Sequence, residues 1–440
     1  MRAVKSQQRI VITGMGIVCP LGNDVPTLWQ AILAGKNGAG RTTIFDASTF
    51  PTTFSAEVKG YDFRRYTRFG HLHEACSRGS GFALGAAAQA CAQAGIEIET
   101  DAPADGIDRT RMGIYLGAGE GSLDNDAFFA CMIAGWDGEK HEMVWPNATR
   151  RALTKMVAAR ELEQEPNMAA AHVAMLTGAR GPARSCLTAC AASTQAVGEA
   201  MMLIRRGDAD IMIAGGAHSM IHPLGVTGFN RLTALSTRNE SPETASRPFS
   251  ASRDGFVLGE GAAIVIVESL ACAQRRGVPV LAELIGYGSS SDAFRVTDMH
   301  EEGRGAVQAI RAALADAGLT CDDIDYINTH GTSTQENDLI ETLAIKTVFG
   351  PRAKQIPAGS VKSMLGHLIG AAGAAELITC VLAIRDGIVP ATTNLHDPDP
   401  KLDLDYVPNS PRKMPVTIVM NESFGFGGQN NVVIVKQYEG

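Results

Sequence analysis

The chain sets out one structural plan twice, and this repetition limits its fold more than any single motif. The helical run Ala306–Gly318 followed by the apolar stretch Ile324–Asn328 echoes the helix-like run ending at Gly95 and the strand-like Arg111–Gly117. The glycine-rich Gly366–Ile384 echoes the pattern that begins at Cys190, where apolar residues recur at Ala191, Ala192, Ala196, Val197, Ala200, Met201 and Ile204 before Gly207 stops the helix. Val416–Met420 and Asn431–Val435 echo a strand pair at Ile211 and Ala262. The repetition predicts two related α/β halves, 1–270 and 271–440, with a large insertion in the first. If they pack about a pseudo-twofold axis, equivalent turns meet, and Cys190, His330, His367 and the Phe424–Gly428 loop emerge at one place.

Further elements follow from local pattern. Arg9–Val18 reads as a strand, Pro26–Ala34 as a helix opened by proline, and Gly79–Gly95 as a second helix. Residues 123–180 read as irregular and partly helical, with helices over Lys155–Gln164 and Met168–Leu176. Phe256–Leu258 and Ala262–Glu268 read as a hairpin-like pair. The 47 glycines gather at the ends of apolar runs, as tight strand-to-helix turns require. A net charge of −8 gives no electrostatic case for nucleic acid. The nine cysteines lack disulfide-framework or zinc-like spacing, which suits reduced thiols in a cytoplasmic protein. No apolar run reaches membrane-spanning length without Gly, Pro or charge.

Several side chains stand where chemistry is done. Cys190 opens a helix, where unpaired N–H groups and the helix dipole favour thiolate; a small buried hydrophobe fits the position as well. His330 follows a strand end and precedes Gly331, and His367 follows Ser360-Val-Lys362-Ser-Met-Leu-Gly366 at another helix start. Each histidine alone could be a satisfied core or cap residue; two at turn positions beside a cysteine read differently. Lys362 could orient a histidine, with Glu341 as a buried partner, or be a surface charge. The Asn421–Asn430 segment is a glycine-rich loop whose backbone could approach a ligand, or a plain turn between strands. No GxxxxGK[ST] motif supports nucleotide binding.

Taken in order, Thr188-Ala-Cys190-Ala-Ala-Ser, Arg253-Asp-Gly-Phe-Val-Leu-Gly-Glu-Gly, Asn328-Thr-His330-Gly-Thr-Ser-Thr, Ser360-Val-Lys362-Ser-Met-Leu-Gly-His367 and Asn421-Glu-Ser-Phe-Gly-Phe-Gly-Gly resemble the β-ketoacyl-[acyl carrier protein] synthases of the Cys-His-His class, nearest to the elongating type-II enzymes. The resemblance runs from Thr13 to the last strand. It implies a thiolase-like α/β fold, duplicated halves forming a layered α-β-α-β-α core. It implies that Cys190 accepts an acyl group from a carrier thioester, and that the N–H groups of Cys190 and Phe426 form an oxyanion hole. His330 and His367 would hold a malonyl thioester and its enolate, Lys362 would organise the site with Glu341 in support, and Phe426 would gate the acyl pocket. The resemblance further implies an acyl pocket touching Glu120 and Phe229, a homodimer, and an acyl carrier protein as partner. No cofactor is implied; Asn421, Glu422 and Glu376 match positions that hold a structural cation in some relatives.

Two readings compete with this one. A non-catalytic chain-length partner would lack the nucleophilic cysteine, and a degradative thiolase would need a second cysteine where the 421–430 loop offers Phe and Gly. The chain also departs from the synthase pattern. Glu120 stands where an apolar residue usually closes the acyl pocket, which suggests a short, polar or unsaturated acyl chain, or a glutamate turned to a subunit interface. Gln335-Glu336 replaces a proline-containing turn, from which only a local loop change is expected. Arg64, Arg65 and Arg68 could receive an acidic carrier protein or lie on a solvated loop.

Overall fold

The computed structural model describes residues 8–119, 121 and 123–440. Ten strands form its main sheet: β1 (Ile10–Val18), β2 (Met112–Gly117), β3 (Ala183–Cys186), β4 (Ile211–His218), β5 (Gly261–Ser269), β6 (Ala282–Ser291), β7 (Tyr326–Asn328), β8 (Ala358–Gly359), β9 (Ile418–Gly425) and β10 (Gln429–Lys436). Their spatial order is β8-β7-β9-β10-β6-β1-β5-β4-β2-β3. Read outward from the centre, both halves have the same order. Each central strand pairs antiparallel with the next, that one antiparallel with a third, and the last two pairings are parallel. The halves join where Ile10–Ile12 pairs antiparallel with Ala282–Leu284. The repetition in sequence is a repetition in topology.

The helices of eight residues or more are α1 (Val25–Leu33), α2 (Arg78–Gln93), α3 (Asn125–Gly135), α4 (Trp145–Lys155), α5 (Met168–Thr177), α6 (Ala192–Arg205), α7 (Pro223–Arg231), α8 (Arg304–Ala317), α9 (Gln335–Phe349) and α10 (Ala372–Asp386). Helices α2 and α5 cover the outer side of the first half, and α8 and α9 cover the second. Between them α6 packs on α10, and each touches strands of both halves. Three apolar cores mark these layers. Val197, Met201, Leu377 and Val381 with Val265 and Val433 fill the middle. Leu84, Cys91, Ile114 and Ile213 fill one outer layer, and Ile310, Ala313, Ile327 and Ile434 the other. A middle helix buried on all sides cannot be amphipathic, and α10 is buried from Ala372 to Ile384.

A matched pair of close approaches shows how far the repetition goes. In β1 a Cβ at Gly14 or Gly16 would lie 2.1 or 2.0 Å from the carbonyl oxygens of Ala90 or Ala86 on α2. In β6 a Cβ at Gly286 or Gly288 would lie 2.6 or 2.0 Å from those of Ala313 or Ala309 on α8. Both strands slip register just before these glycines. Strand and helix backbones thus touch at alternate strand residues and successive helix turns, in both halves.

Three local expectations are corrected. Phe256–Leu258 is not one arm of a hairpin: it makes isolated bridges to Leu235 and His367, and β5 pairs with β1 and β4 instead. The helix expected over Lys155–Gln164 is broken; Lys155 ends α4, Met156 and Val157 are extended, and a short helix at Ala158–Glu161 runs into a 3₁₀ turn. The stretch read as irregular and partly helical is more ordered than that: it also contains α3 and α4, whose exposed apolar residues hide the usual periodicity. Among the described residues no helix is long and apolar enough to cross a membrane.

The close approaches predict that Gly16→Val and Gly288→Val each cost about 1–3 kcal/mol through forced backbone shifts. Gly228→Ala, in α7 with nothing within 4 Å of its added Cβ, should leave stability unchanged or slightly raised. Thermal unfolding of the three variants checks this; a Gly16→Val protein melting with the parent would contradict the packing.

Candidate active site

Cys190 lies in a 3₁₀ turn, Ala189–Ala191, that leads into α6. The turn begins at Ala189 with φ of +48°, a left-handed conformation that alanine rarely adopts. The second half has the same device: Ile369, φ +49°, opens a 3₁₀ turn, Ile369–Ala371, that leads into α10. One elbow presents Cys190 and the other presents Gly370 at the equivalent place. The bend in β9 and the following loop brings Gly425 so near the first elbow that a Cβ there would lie 2.8 Å from the Thr188 carbonyl oxygen and 3.3 Å from the Cys190 amide.

His330 follows β7 and sits in a turn fixed from below. Glu341 on α9 accepts from the backbone amides of His330 at 2.5 Å and Gly331 at 2.7 Å. Asp338, one helical turn earlier, accepts from the amides of Ser333 and Phe249. Buried Arg253 donates to the carbonyls of Thr334, Gln335 and Ser250 and to Asp399. Gln335 is the first residue of α9, which is capped by the Thr334 hydroxyl. His367 is held by backbone pairing with the 256–259 segment: its amide donates to the Val257 carbonyl, and its carbonyl accepts from Gly259. The Phe256 ring meets the His367 ring edge-on at 5.1 Å.

Reacting atoms of Cys190, His330 and His367 all lie within 4.8 Å of one another. They stand in a cavity of about 360 Å³ that Phe424, Gly425 and Phe426 also line. The residues expected to meet do meet. His367 Nδ1 accepts from the Ile369 amide at 3.2 Å, so Nε2 keeps the ring proton and is a donor with no protein partner among the described residues. That tautomer suits an oxyanion better than a metal ion. His330 Nδ1 is buried without a partner, so no hydrogen bond at that atom fixes its tautomer.

Burial and one cation set the charges. Both histidines are pushed well below their ordinary pKa of 6.5, first by burial and then by the Lys362 ammonium. They are neutral imidazoles. Burial pushes the Cys190 thiol up to about 12, against the opposing pull of Lys362 and of the Phe426 and Cys190 amides. The thiolate expected from the helix end is therefore not the resting state: desolvation outweighs the dipole. The amides expected to form the oxyanion hole are the same two that act on the sulfur.

Lys362 is itself buried, and its ion-pair partner is Glu376 on α10. The expected pairing with Glu341 is corrected. Glu341 is occupied by the His330 turn, and burial raises it to about 7, while Lys362 acts on it only through space. Of the three cation positions, Glu376 is compensated by Lys362. Asn421 uses its amide on Asn328 and Gly373, and Glu422 faces Glu341 and is pushed well up by burial and that neighbour. Sequence reasoning gave no role to Asp338, and quoted Arg253 and Phe256 only within a motif, although these residues fix the two histidine turns; the motif around Arg253 was the available signal.

The remaining sequence candidates fall into two groups. Phe229 packs in the apolar cluster that contains Cys190, Ile221 and Phe426. Arg64, Arg65 and Arg68 are exposed on a 3₁₀ turn and the loop after it, with Arg68 paired to Glu99. Glu120 lies outside the described residues.

Comparison with known proteins agrees with this geometry. Residues 7–273 match the family "Beta-ketoacyl synthase, N-terminal domain" and residues 281–396 match "Beta-ketoacyl synthase, C-terminal domain". The chain is 41% identical over 432 residues to the 3-oxoacyl-[acyl-carrier-protein] synthase 2 of Coxiella burnetii (strain RSA 493 / Nine Mile phase I), covering 98% of this chain and 99% of that one. It is 39% identical over 436 residues to the enzyme of the same name from Staphylococcus aureus (strain N315), covering 99% and 100%. Among solved structures it resembles a β-ketoacyl synthase from Burkholderia phymatum STM815, with a TM-score of 0.86, 32% identity, and 98% and 100% of the two chains covered. It also resembles a type II PKS ketosynthase solved with its acyl-carrier protein and bound to the hexaketide, with a TM-score of 0.85, 34% identity, and 99% and 100% covered. A doubled five-strand plan, two matching elbows and a Cys-His-His cluster at their meeting point are thus the form that membership takes here: the chain belongs to the β-ketoacyl synthase family.

Proposed function

We propose that this protein is a 3-oxoacyl-[acyl-carrier-protein] synthase, an acyltransferase that joins an enzyme-bound acyl group to malonyl carrier by decarboxylative Claisen condensation. One observation carries the reading. A thiol at a strained elbow and two neutral imidazoles lie within 4.8 Å in one cavity, with the backbone amides of Cys190 and Phe426 acting on the sulfur.

Cys190 Sγ attacks the thioester carbonyl of the acyl carrier, the amides of Cys190 and Phe426 receive the oxyanion, and the carrier thiol leaves. The thiol proton must depart as the S–C bond forms. A neutral His330 can take it on its unprotonated ring nitrogen and pass it to the departing carrier sulfur, which leaves the ring neutral again, whereas the unprotonated nitrogen of His367 is already engaged by the Ile369 amide. A malonyl thioester then binds with its carbonyl oxygen toward the imidazole N–H groups. Cleavage of its C–C bond releases carbon dioxide and leaves an enolate whose charge those donors stabilise. The enolate carbon attacks the acyl-Cys190 carbonyl, and collapse of the tetrahedral adduct expels Cys190 and frees the 3-oxoacyl carrier. No step calls for a cofactor. The presence of Cys190 and both imidazoles disfavours a non-catalytic chain-length partner.

The protein is proposed to work as a homodimer in the cytoplasm. Strand β3 is one of the two edges of the sheet, and Trp136, Trp145 and Leu153 stand exposed on the insertion that precedes it in sequence, surfaces a second copy would cover. All nine cysteines are free thiols, which suits a reducing compartment. The acidic acyl carrier is proposed to dock on Arg64, Arg65 and Arg68, beside exposed Phe69 and Leu72.

Radiolabelled acyl transfer tests the reading: wild type should take label from acyl carrier and release it as a 3-oxoacyl product when malonyl carrier is added, and Cys190→Ala should take none. Label on the Cys190→Ala protein would sink the assignment. For docking, Arg65→Glu should raise the KM for carrier-bound substrate several-fold while sparing a small thioester mimic. Equal loss on both substrates would count against the basic surface.

A further inference from the structure

The stretch 62–73 carries Arg64, Arg65 and Arg68, and His73 is the only buried residue in it. Phe63 and Tyr66 rest half-buried against an outer core. Two polar anchors hold the rest. At the first, the Thr67 hydroxyl and the Arg68 amide donate to the Glu99 carboxylate. At the second, His73 Nδ1 lies 2.8 Å from His172 Nδ1 on α5, and His172 Nε2 lies 2.8 Å from Glu163 Oε1. Glu163 Oε2 accepts from the Ser77 amide at 2.7 Å and the Ser80 hydroxyl at 3.0 Å, where α2 begins. One carboxylate of the insertion thus fixes both ends of the connection from His73 to α2: His73 through His172, and Ser77 directly. All three members of the chain are buried.

From this chain we infer that His73 and His172 are positioning residues for carrier docking, tying the arginine loop to the insertion through one shared proton. The inference rests on the docking reading of Arg64, Arg65 and Arg68. Burial would raise the Glu163 carboxyl, but His172 and the Ser77 amide outweigh it and hold it below its ordinary value of 4.5. Glu163 therefore accepts, and His172 donates from Nε2. The line between the two Nδ1 atoms then holds a single proton. Replacing the His73 ring by an apolar side chain leaves His172 Nδ1 buried without a partner and frees the end of the loop. A single exposed arginine gains little from pairing with a carrier carboxylate. Three arginines on backbone already fixed avoid the cost of ordering that backbone when the carrier arrives.

Steady-state kinetics of the intact protein, on acyl carrier and on a small thioester mimic, test this. His73→Leu should raise the KM for acyl carrier several-fold, with kcat and the rate on the mimic close to wild type, which also shows that the variant folds. His73→Asn, whose short amide donates or accepts at the place of Nδ1, should restore the KM. Because both changes act on one surface, His73→Leu added to Arg65→Glu should raise the KM little beyond Arg65→Glu alone. With Arg65→Glu raising the KM, three results would each overturn the inference: an unchanged KM in His73→Leu, equal loss on carrier and mimic, or no rescue by His73→Asn. Effects of the two changes that multiply in full would overturn it as well. An unchanged KM for acyl carrier in Arg65→Glu would overturn the docking reading instead, and this inference with it.

Discussion

Burial and one buried cation together set the protonation of the groups around Cys190. Lys362 sits inside the protein, ion-paired with Glu376. Its field lowers His330 and His367, pulls against the desolvation of Cys190, and holds Glu341 lower than burial alone would. A protonated imidazole in this dry setting would stand beside an ammonium that cannot move away. The histidines are therefore kept as neutral donors, ready for charge that develops on a substrate oxygen rather than carrying charge of their own. Removing either member of such a pair strands the other and costs about 3–5 kcal/mol, so the electrostatics of the site and the stability of the middle layer are coupled through α10.

The doubled architecture explains why these groups meet at all. Two copies of a five-strand plan share the β1–β6 junction, and α6 and α10 lie against each other between them. The elbows opening these two helices are consequently neighbours. Only one carries a nucleophile. At the other, Gly370 leaves room, and the preceding residue in space is His367, tied by its backbone to the 256–259 segment of the first half. His330 arrives from β7 and is fixed by Glu341, Asp338 and Arg253. The asymmetry of the chemistry is laid on a symmetric frame by side chains, while the backbone keeps its repetition down to the paired glycines of β1 and β6.

Much of this could be read from residues alone, because it depended on periodicity and order. The strands and helices that recur, the helix opened by Cys190 and the convergence of Cys190, His330, His367 and Phe426 all follow from spacing and repetition. What could not be read depended on tertiary contact. The sequence reading names Glu341 as the partner of Lys362, and only the packing of α10 against the Lys362 turn shows that the partner is Glu376. The helix-end argument for a Cys190 thiolate was sound locally and lost to burial, a quantity that spacing does not contain. The 256–258 segment has the composition of a hairpin arm, yet its backbone is spent holding His367. Helices α3 and α4 escaped notice because their apolar residues point outward in the isolated chain.

The central claim is that burial beside Lys362 keeps His330 and His367 neutral across the working range of pH. It is tested most directly by the decarboxylation of malonyl carrier by Cys190→Ala protein, where condensation cannot mask the half-reaction. A lowered histidine pKa means that the neutral form is present above it and lost only as pH falls through it. The rate should accordingly stay level from about pH 8 down to about 6.5 and fall only well below that. A decline with its midpoint near the ordinary histidine value of 6.5 would contradict the account.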